Sequence, residues 1–319
     1  MHDALDRSAP VYVAGHGGLV GSAVWRHFAA QGFTNLIGRR SAELDLRDRD
    51  ATFAFFDETR PAVAVLAAAH VGGILANATY PVEFLSDNLR MQVNLLDAAH
   101  AAGVERLLFL GSSCIYPKFA PQPIREDSLL TGPLEPTNDA YAIAKIAGVL
   151  HVQALRREYN RPYISAMPTN LYGPNDNFHP QNSHVLPALL RRFDEAQAGG
   201  AGEVAIWGTG TPRREFLHVD DLARACLFLL EHYDEPEPIN IGTGTDISIA
   251  DLAALVAEVV GFSGSISYDT SKPDGTPQKL LDVTRITELG WQAEIGLREG
   301  IADTYAWFRE QRADAALRS

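Results

Sequence analysis

Two cysteines, Cys114 and Cys226, are all that 319 residues contain. That excludes a disulfide framework and leaves no zinc-ligand pattern, so no metal is expected. No run of about 18 apolar residues occurs, and Met1 to Ala9 is polar and mixed in charge without an apolar signal region. The sequence therefore predicts no membrane partner and a cytoplasmic location. Long Lys/Arg runs are missing too. With 27 Lys plus Arg against 40 Asp plus Glu, the net charge is −13, a balance that repels a phosphate backbone and argues against a nucleic-acid partner. A few arginines in a cleft can still hold an anionic small molecule. Internal repeats and low-complexity stretches are absent.

Apolar residues make up 46% of the chain and charged ones 21%, ample for a globular core. Short apolar runs bounded by turn residues recur at Val11 to Ala14, Asn35 to Ile37, Val63 to Ala69, Arg106 to Leu110 and Tyr163 to Met167. Between them lie stretches with apolar residues near i, i+3 and i+4, such as Ser22 to Ala30 and Asn88 to Ala102. Strands alternating with helices imply an α/β fold, a Rossmann-type doubly wound parallel sheet. Beyond residue 172 the rhythm breaks at Pro174, Pro180, Pro187 and Pro212. A short strand is expected at Val204 to Trp207, another at Ile239 to Gly242, and a helix at Ile249 to Val260. The division read from this pattern is residues 1–172, with a returning segment near 214–245, and a smaller C-terminal substrate-binding lobe over 173–319.

Directly after the first strand comes Gly15-His16-Gly17-Gly18-Leu19-Val20-Gly21, opening a helix. Glycines there allow a tight turn, backbone approach to a pyrophosphate and close helix packing, while the helix N-terminus attracts the anion. After the second strand, where an acid would hold ribose hydroxyls, stand Arg39 and Arg40. Two cations suit a 2′-phosphate, so NADP (NADPH) is the expected cofactor. Asp45, just beyond, either accepts from an adenine amino group or caps the following helix.

Pro136-Thr137-Asn138-Asp139 signals a helix start before Tyr141-Ala142-Ile143-Ala144-Lys145. Spacing i, i+4 puts phenol and ammonium on one face, and a nearby cation is expected to lower the Tyr141 pKa toward proton transfer. Gly111-Ser112-Ser113-Cys114 ends a strand where open α/β sheets bind ligands. Ser112 could hold a carbonyl oxygen that Tyr141 protonates.

With these features the chain resembles the extended short-chain dehydrogenase/reductases, and among them the epimerase–reductases of GDP-4-keto-6-deoxy sugars. The likeness rests on Ala67-Ala68-Ala69-His70-Val71-Gly72-Gly73, on residues 111–118, on Leu134-Glu135-Pro136-Thr137, on the Tyr141/Lys145 segment, and on Met167 to Pro174. It extends through Asn177-Phe178-His179-Pro180, Asn182-Ser183-His184-Val185, Arg214-Glu215-Phe216-Leu217-His218-Val219-Asp220-Asp221 and residues 271–277. The resemblance implies reduction by Ser112, Tyr141 and Lys145, and 3,5-epimerisation by Cys114 and His184. It also implies GDP-sugar contacts from Arg192, Trp207, Arg214 and Asp274, and cofactor contacts from Leu46, Ala68, Lys145, Pro168, Asn170, Leu171 and His184. Gly17 and Ser41 stand where the family often has arginine, which bears on the choice between NADPH and NADH. Homodimerisation through Asn88 to Ala102 and Tyr141 to Tyr159 is the expected assembly. Whether the sugar carries a 3-hydroxyl or lacks it, as in colitose formation, stays open, as does a related 4-epimerase activity.

Overall fold

The computed structural model describes residues 4–313 except Gln181 and Pro273. Met1 to Asp3, at the expected polar N-terminus, and Pro273, within the 271–277 motif, lie outside the described residues. The chain runs β1 (Val11–Ala14), α1 (Leu19–Ala30), β2 (Leu36–Ile37), α2 (Arg49–Thr59), β3 (Val63–Leu66), α3 (Ile74–Thr79), α4 (Pro81–Ala102), β4 (Arg106–Leu110), α5 (Asp139–Tyr159) and β5 (Tyr163–Pro168). It continues through β6 (Asn170–Tyr172), α6 (Val185–Gly199), β7 (Glu203–Trp207), β8 (Arg213–His218), α7 (Val219–His232) and β9 (Ile239–Ile241). Last come β10 (Asp246–Ser248), α8 (Ile249–Val260), β11 (Ser265–Asp269), β12 (Gln278–Lys279), α9 (Thr284–Glu288) and α10 (Leu297–Ala313).

Six parallel strands form the central sheet in the order β2-β1-β3-β4-β5-β9, a Rossmann-like arrangement. Alternation along each strand sends residues to opposite faces. Val11, Val13, Val63, Val65, Leu108 and Leu110 pack in the layer that includes Val24, Phe28, Leu222 and Leu229 of α1 and α7. Tyr12, Ala14, Ala64, Leu66, Leu107 and Phe109 pack against Phe56, Leu95, Leu96 and Val149 of α2, α4 and α5. Burying one such side chain fully stabilises the fold by about 1.5–3 kcal/mol, and strands covered on both faces can read as unbroken apolar runs. That is why these runs were visible in the sequence.

The strand expected over Val63 to Ala69 stops at Leu66. Past Ala67, whose N–H still donates to the Ala14 carbonyl, the chain leaves the ladder toward the site. Helices expected from Ser22 and Asn88 begin earlier, at Leu19, directly after the glycine loop, and at Pro81, a proline suited to the first helical position. In the second half, β8 pairs with β10, β12 and β6 in a separate sheet, β7 pairs with β11, and α7 and β9 return to the central layers. A third apolar cluster from α6, α8, α10 and β7 holds that region together. No helix among the described residues is long and apolar enough to cross a membrane.

Candidate active site

The strand order reverses between β1 and β3, which neighbour each other although β2 lies between them in sequence. At such a switch point, beyond the carboxyl ends of the strands, open sheets leave a crevice. The Gly15 to Gly21 loop occupies it. Gly15 adopts φ 77°, and a Cβ on Gly21 would stand 2.1 Å from the Gly15 carbonyl oxygen. Only glycine lets the loop fold this tightly over the start of α1. The α1 N-terminus has no side-chain cap and no acid in its first turn, so its free N–H groups and dipole are left for an anion. His16 Nδ1 is buried without a hydrogen-bond partner, and loss of water, then the Arg40 charge, hold the imidazole below its usual pKa.

Arg39 lies 5.5 Å over the Phe55 ring and donates to the Gly38 carbonyl, while the Arg40 backbone N–H is fixed by Glu43. Both guanidinium groups are exposed. Asp45 does not cap α2, since Asp48 does so by accepting from Ala51 N–H; the Asp45 carboxylate pairs with Arg47 at 2.8 Å. Half-buried Leu46 and Ala68 pack beside this end of the sheet. At the end of β5, Pro168 opposes Ile241, and Asn170 and Leu171 start β6 against β8.

Beyond β4 the chain turns through a short 3-10 segment, Ser113–Ile115, with the Ser112 hydroxyl accepting from Cys114 N–H at 3.2 Å. Helix α5 brings Tyr141 to this turn, where it hydrogen-bonds Ser112. Lys145, one helical turn on, donates to the Leu110 carbonyl at 2.8 Å and lies 5.0 Å from the Phe109 ring centroid. The expected lowering of the Tyr141 pKa is overturned. Burial, reinforced by the Cys114 charge, pushes the phenol up, and the Ser112 bond offsets this only in part. Lys145 itself is pulled down to about 8 by burial, its ammonium turned to a backbone carbonyl. Tyr141 is thus a protonated donor in the resting site.

The helix signal at residues 136–139 is real, but Asn138 makes no side-chain cap. Its amide instead donates to Cys114 Sγ at 3.4 Å. On the opposite side Lys279 Nζ of β12 stands 3.6 Å from the same sulfur. Lys279 also bears on His184: crowding by protein and then this charge keep the imidazole below its usual pKa, hence neutral at pH 7. Lys279 is thus an electrostatic neighbour of both Cys114 and His184. Sequence reasoning gave Lys279 no role and read Asn138 only as part of a helix-start signal. The hint available was an Asn left over at a cap position. The segment leading into His184 is held against the 72–73 turn, where Gly73 N–H donates to the Asn182 carbonyl at 3.1 Å and a Cβ on Gly73 would meet the Ser183 carbonyl at 2.6 Å.

Arg214 faces the same centre, its pKa lowered by burial against the pull of Cys114, Glu135 and Asp274. Asp274 accepts from Thr209 N–H and hydroxyl at 2.7 and 2.9 Å. Trp207 is 47% exposed, which removes it from the core, and Arg192 and Lys272 flank its ring, each 5.6 Å from the centroid. Cys226, fully buried, belongs to the apolar core.

A profile of the NAD dependent epimerase/dehydratase family matches residues 11–242. The chain belongs to that family. Among relatives of this family member, "Probable GDP-L-fucose synthase 1" of Oryza sativa subsp. japonica is 59% identical over 96% of the chain and 93% of its own length. "GDP-L-fucose synthase" of Escherichia coli (strain K12) is 54% identical, over 95% and 97%. Among solved structures, "a gdp-l-fucose synthetase from Naegleria fowleri bound to NADP" superposes with a TM-score of 0.90 at 30% identity, covering 99% of this family member and 98% of that chain.

Proposed function

We propose that the chain is a bifunctional 3,5-epimerase and NADPH-dependent 4-reductase that converts GDP-4-keto-6-deoxy-D-mannose to GDP-L-fucose. The observation that carries this reading is the thiol of Cys114, ringed by Lys279, Asn138 and Arg214 beside the Ser112/Tyr141 pair. A plain reductase has no use for such a thiol. The full-length relatives of the same activity support it.

The 4-keto group acidifies the C–H bonds at C3 and C5. Cys114, as thiolate, takes the proton from one face, and His184 serves as the acid or base on the other. Ser112 and Tyr141 hold O4 while the enediolate forms. Once both centres are inverted and C4 is reduced, Tyr141 gives its phenolic proton to O4, a step for which its raised pKa keeps the proton in place until charge develops on oxygen. The tight Gly15 to Gly21 cradle fits a dinucleotide pyrophosphate, with Arg39 and Arg40 at the 2′-phosphate and Asn170, Leu171 and His184 along the nicotinamide. When bound, NADPH supplies the hydride for C4. Lys145, one helical turn from Tyr141, would contact the cofactor. Arg192, Arg214 and Asp274 would contact the GDP-sugar, and Trp207 would wall its guanine or sugar pocket.

The division read from the sequence fits this task, with residues 1–172, helped by α7 and β9, holding the cofactor and the remainder holding the GDP-sugar. Exposed Val93, Ile143 and Leu150 on the packed pair α4 and α5 support a homodimer through these helices. A free nucleophilic thiol suits the reducing cytoplasm.

Incubation with GDP-4-keto-6-deoxy-D-mannose and NADPH, followed by NMR of the product, tests the proposal. GDP-L-fucose formed with one NADPH consumed per sugar supports it. Reduction without inversion at C3 and C5, or no consumption of NADPH, overturns it.

A further inference from the structure

Glu215, on β8 next to Arg214, is a completely buried carboxylate that neither half of the proposed reaction uses. Its Oε1 accepts from the backbone N–H groups of Thr243 and Gly244 at 2.6 and 2.7 Å, and its Oε2 accepts from Leu281 N–H at 3.0 Å. Its own carbonyl oxygen takes the Asn170 amide at 2.7 Å and the Thr169 hydroxyl at 3.3 Å. One residue thus fastens three segments: the start of β6 at the nicotinamide end, the turn after β9, and the chain just beyond β12.

That last fastening matters because Leu281 follows Lys279 by two residues. The β12 segment is short, two residues paired with Arg213 and Arg214, and needs outside anchors. On its other side Gln122 accepts from Leu280 N–H at 2.9 Å and donates to the Gln278 carbonyl at 3.3 Å. Held from both sides, the segment fixes where the Lys279 ammonium stands.

We propose that Glu215 is a positioning residue for the epimerising thiol: through Leu281 N–H it locks the β12 segment so that Lys279 Nζ stays at Cys114 Sγ. The proposal rests on the reading of Cys114 given above. A cation 3.6 Å from the sulfur attracts the negative charge that develops there as the thiol reacts, and this attraction fades as the distance grows. The other groups facing the sulfur are Asn138, Arg214 and Tyr141, none of which Glu215 side-chain oxygens touch.

Glu215→Gln is nearly isosteric. Its oxygen can keep Thr243 and Gly244, but its NH2 then faces Leu281 N–H, donor against donor, and the segment is pushed away. The readout is the rate at which iodoacetamide alkylates Cys114 at pH 7, with buried Cys226 shielded. The expected result is a fall of about 3- to 10-fold in E215Q, with melting temperature and NADPH affinity little changed. In a K279M background, itself slowed, adding E215Q should change nothing further. If E215Q does not fold, Gln122→Met loosens the same segment from the other side and should give the same slowing, again absent over K279M.

Wild-type alkylation in both variants, or a slowing that persists fully in K279M, overturns the proposal. Because alkylation needs no sugar, a chain that fails to make GDP-L-fucose yet shows this pattern would sink the proposed function and leave Glu215 in its role.

Discussion

Gly73→Ala strikes the contact that holds the segment leading into His184, the proposed second epimerisation residue. The added Cβ would stand 2.6 Å from the Ser183 carbonyl oxygen, where ordinary contact begins near 3.4 Å. The two segments must therefore part by roughly 0.8 Å, the difference between those distances. Neither side can yield cheaply, since the struck atom is backbone and Gly73 N–H is bonded to the adjacent Asn182 carbonyl. Overpacking of this kind costs about 1–3 kcal/mol of stability, which lowers melting by a few degrees without unfolding the chain. The larger effect falls on chemistry, because a displacement near 1 Å of a reacting group costs on the order of 100-fold in rate. The assay is deuterium incorporation at C3 and C5 of the 4-keto sugar in D2O, with NADP+ present so that no hydride is delivered. Exchange should drop roughly 30- to 100-fold. Reduction of the already inverted 4-keto sugar should fall much less, because Ser112 stands in the turn after β4 and Tyr141 and Lys145 on α5, rather than on the 182–184 segment. A folded G73A protein that exchanges at the wild-type rate, or loses both steps equally, would refute the reasoning.

Cys114→Ser should abolish exchange at C3 and C5 with NADPH affinity intact by fluorescence titration, whereas Tyr141→Phe should slow reduction by about 10²- to 10⁴-fold, the usual worth of a general acid; normal turnover in either removes that residue from its role. Arg40→Ala should weaken NADPH about 10-fold or more, the loss of one charge-assisted bond, and leave NADH affinity nearly unchanged, and equal losses for both cofactors would exclude a 2′-phosphate contact. Asp176 is buried with Oδ2 unpartnered, and burial pushes its carboxyl up to about 7, the Asn177 N–H bond offsetting only part. Between 3.8 and 7 the folded chain holds a proton that the unfolded chain has lost, so this group's contribution is full below 3.8 and drains away as pH rises through 7. At about 1.4 kcal/mol per pH unit the cost at pH 8 reaches at most about 4.5 kcal/mol. Asp176→Asn should therefore raise the melting temperature at pH 8, with the gain vanishing toward pH 4; a gain that ignores pH would count against it.

What could be read in the sequence was whatever burial writes as local pattern. Val11 to Ala14, Arg106 to Leu110 and Ile249–Val260 are found where their apolar spacing put them, because each buries faces that the spacing exposes. The glycine loop was legible since its constraint is steric and local. Lys279 was not, because its meaning lies in a contact with a sulfur 165 positions earlier, made through a two-residue strand too short to show a period. Asn138 looked like a helix cap and is instead a donor to that sulfur. The Tyr141 error has the same origin: spacing reports that a lysine is near, but not that burial dominates or that the ammonium turns to the Leu110 carbonyl.

Strand β9 is the sixth of the central sheet, yet it follows α6, β7, β8 and α7 in the chain. During synthesis the β5 edge, at residues 163–168, emerges some 70 residues ahead of the strand that pairs with Ala166 to Pro168. Until Ile241 has left the ribosome that edge offers bare N–H and C=O groups to any passing strand. A truncation at residue 172 would freeze the chain in that state, and such a fragment should associate with itself instead of behaving as an independent cofactor-binding half.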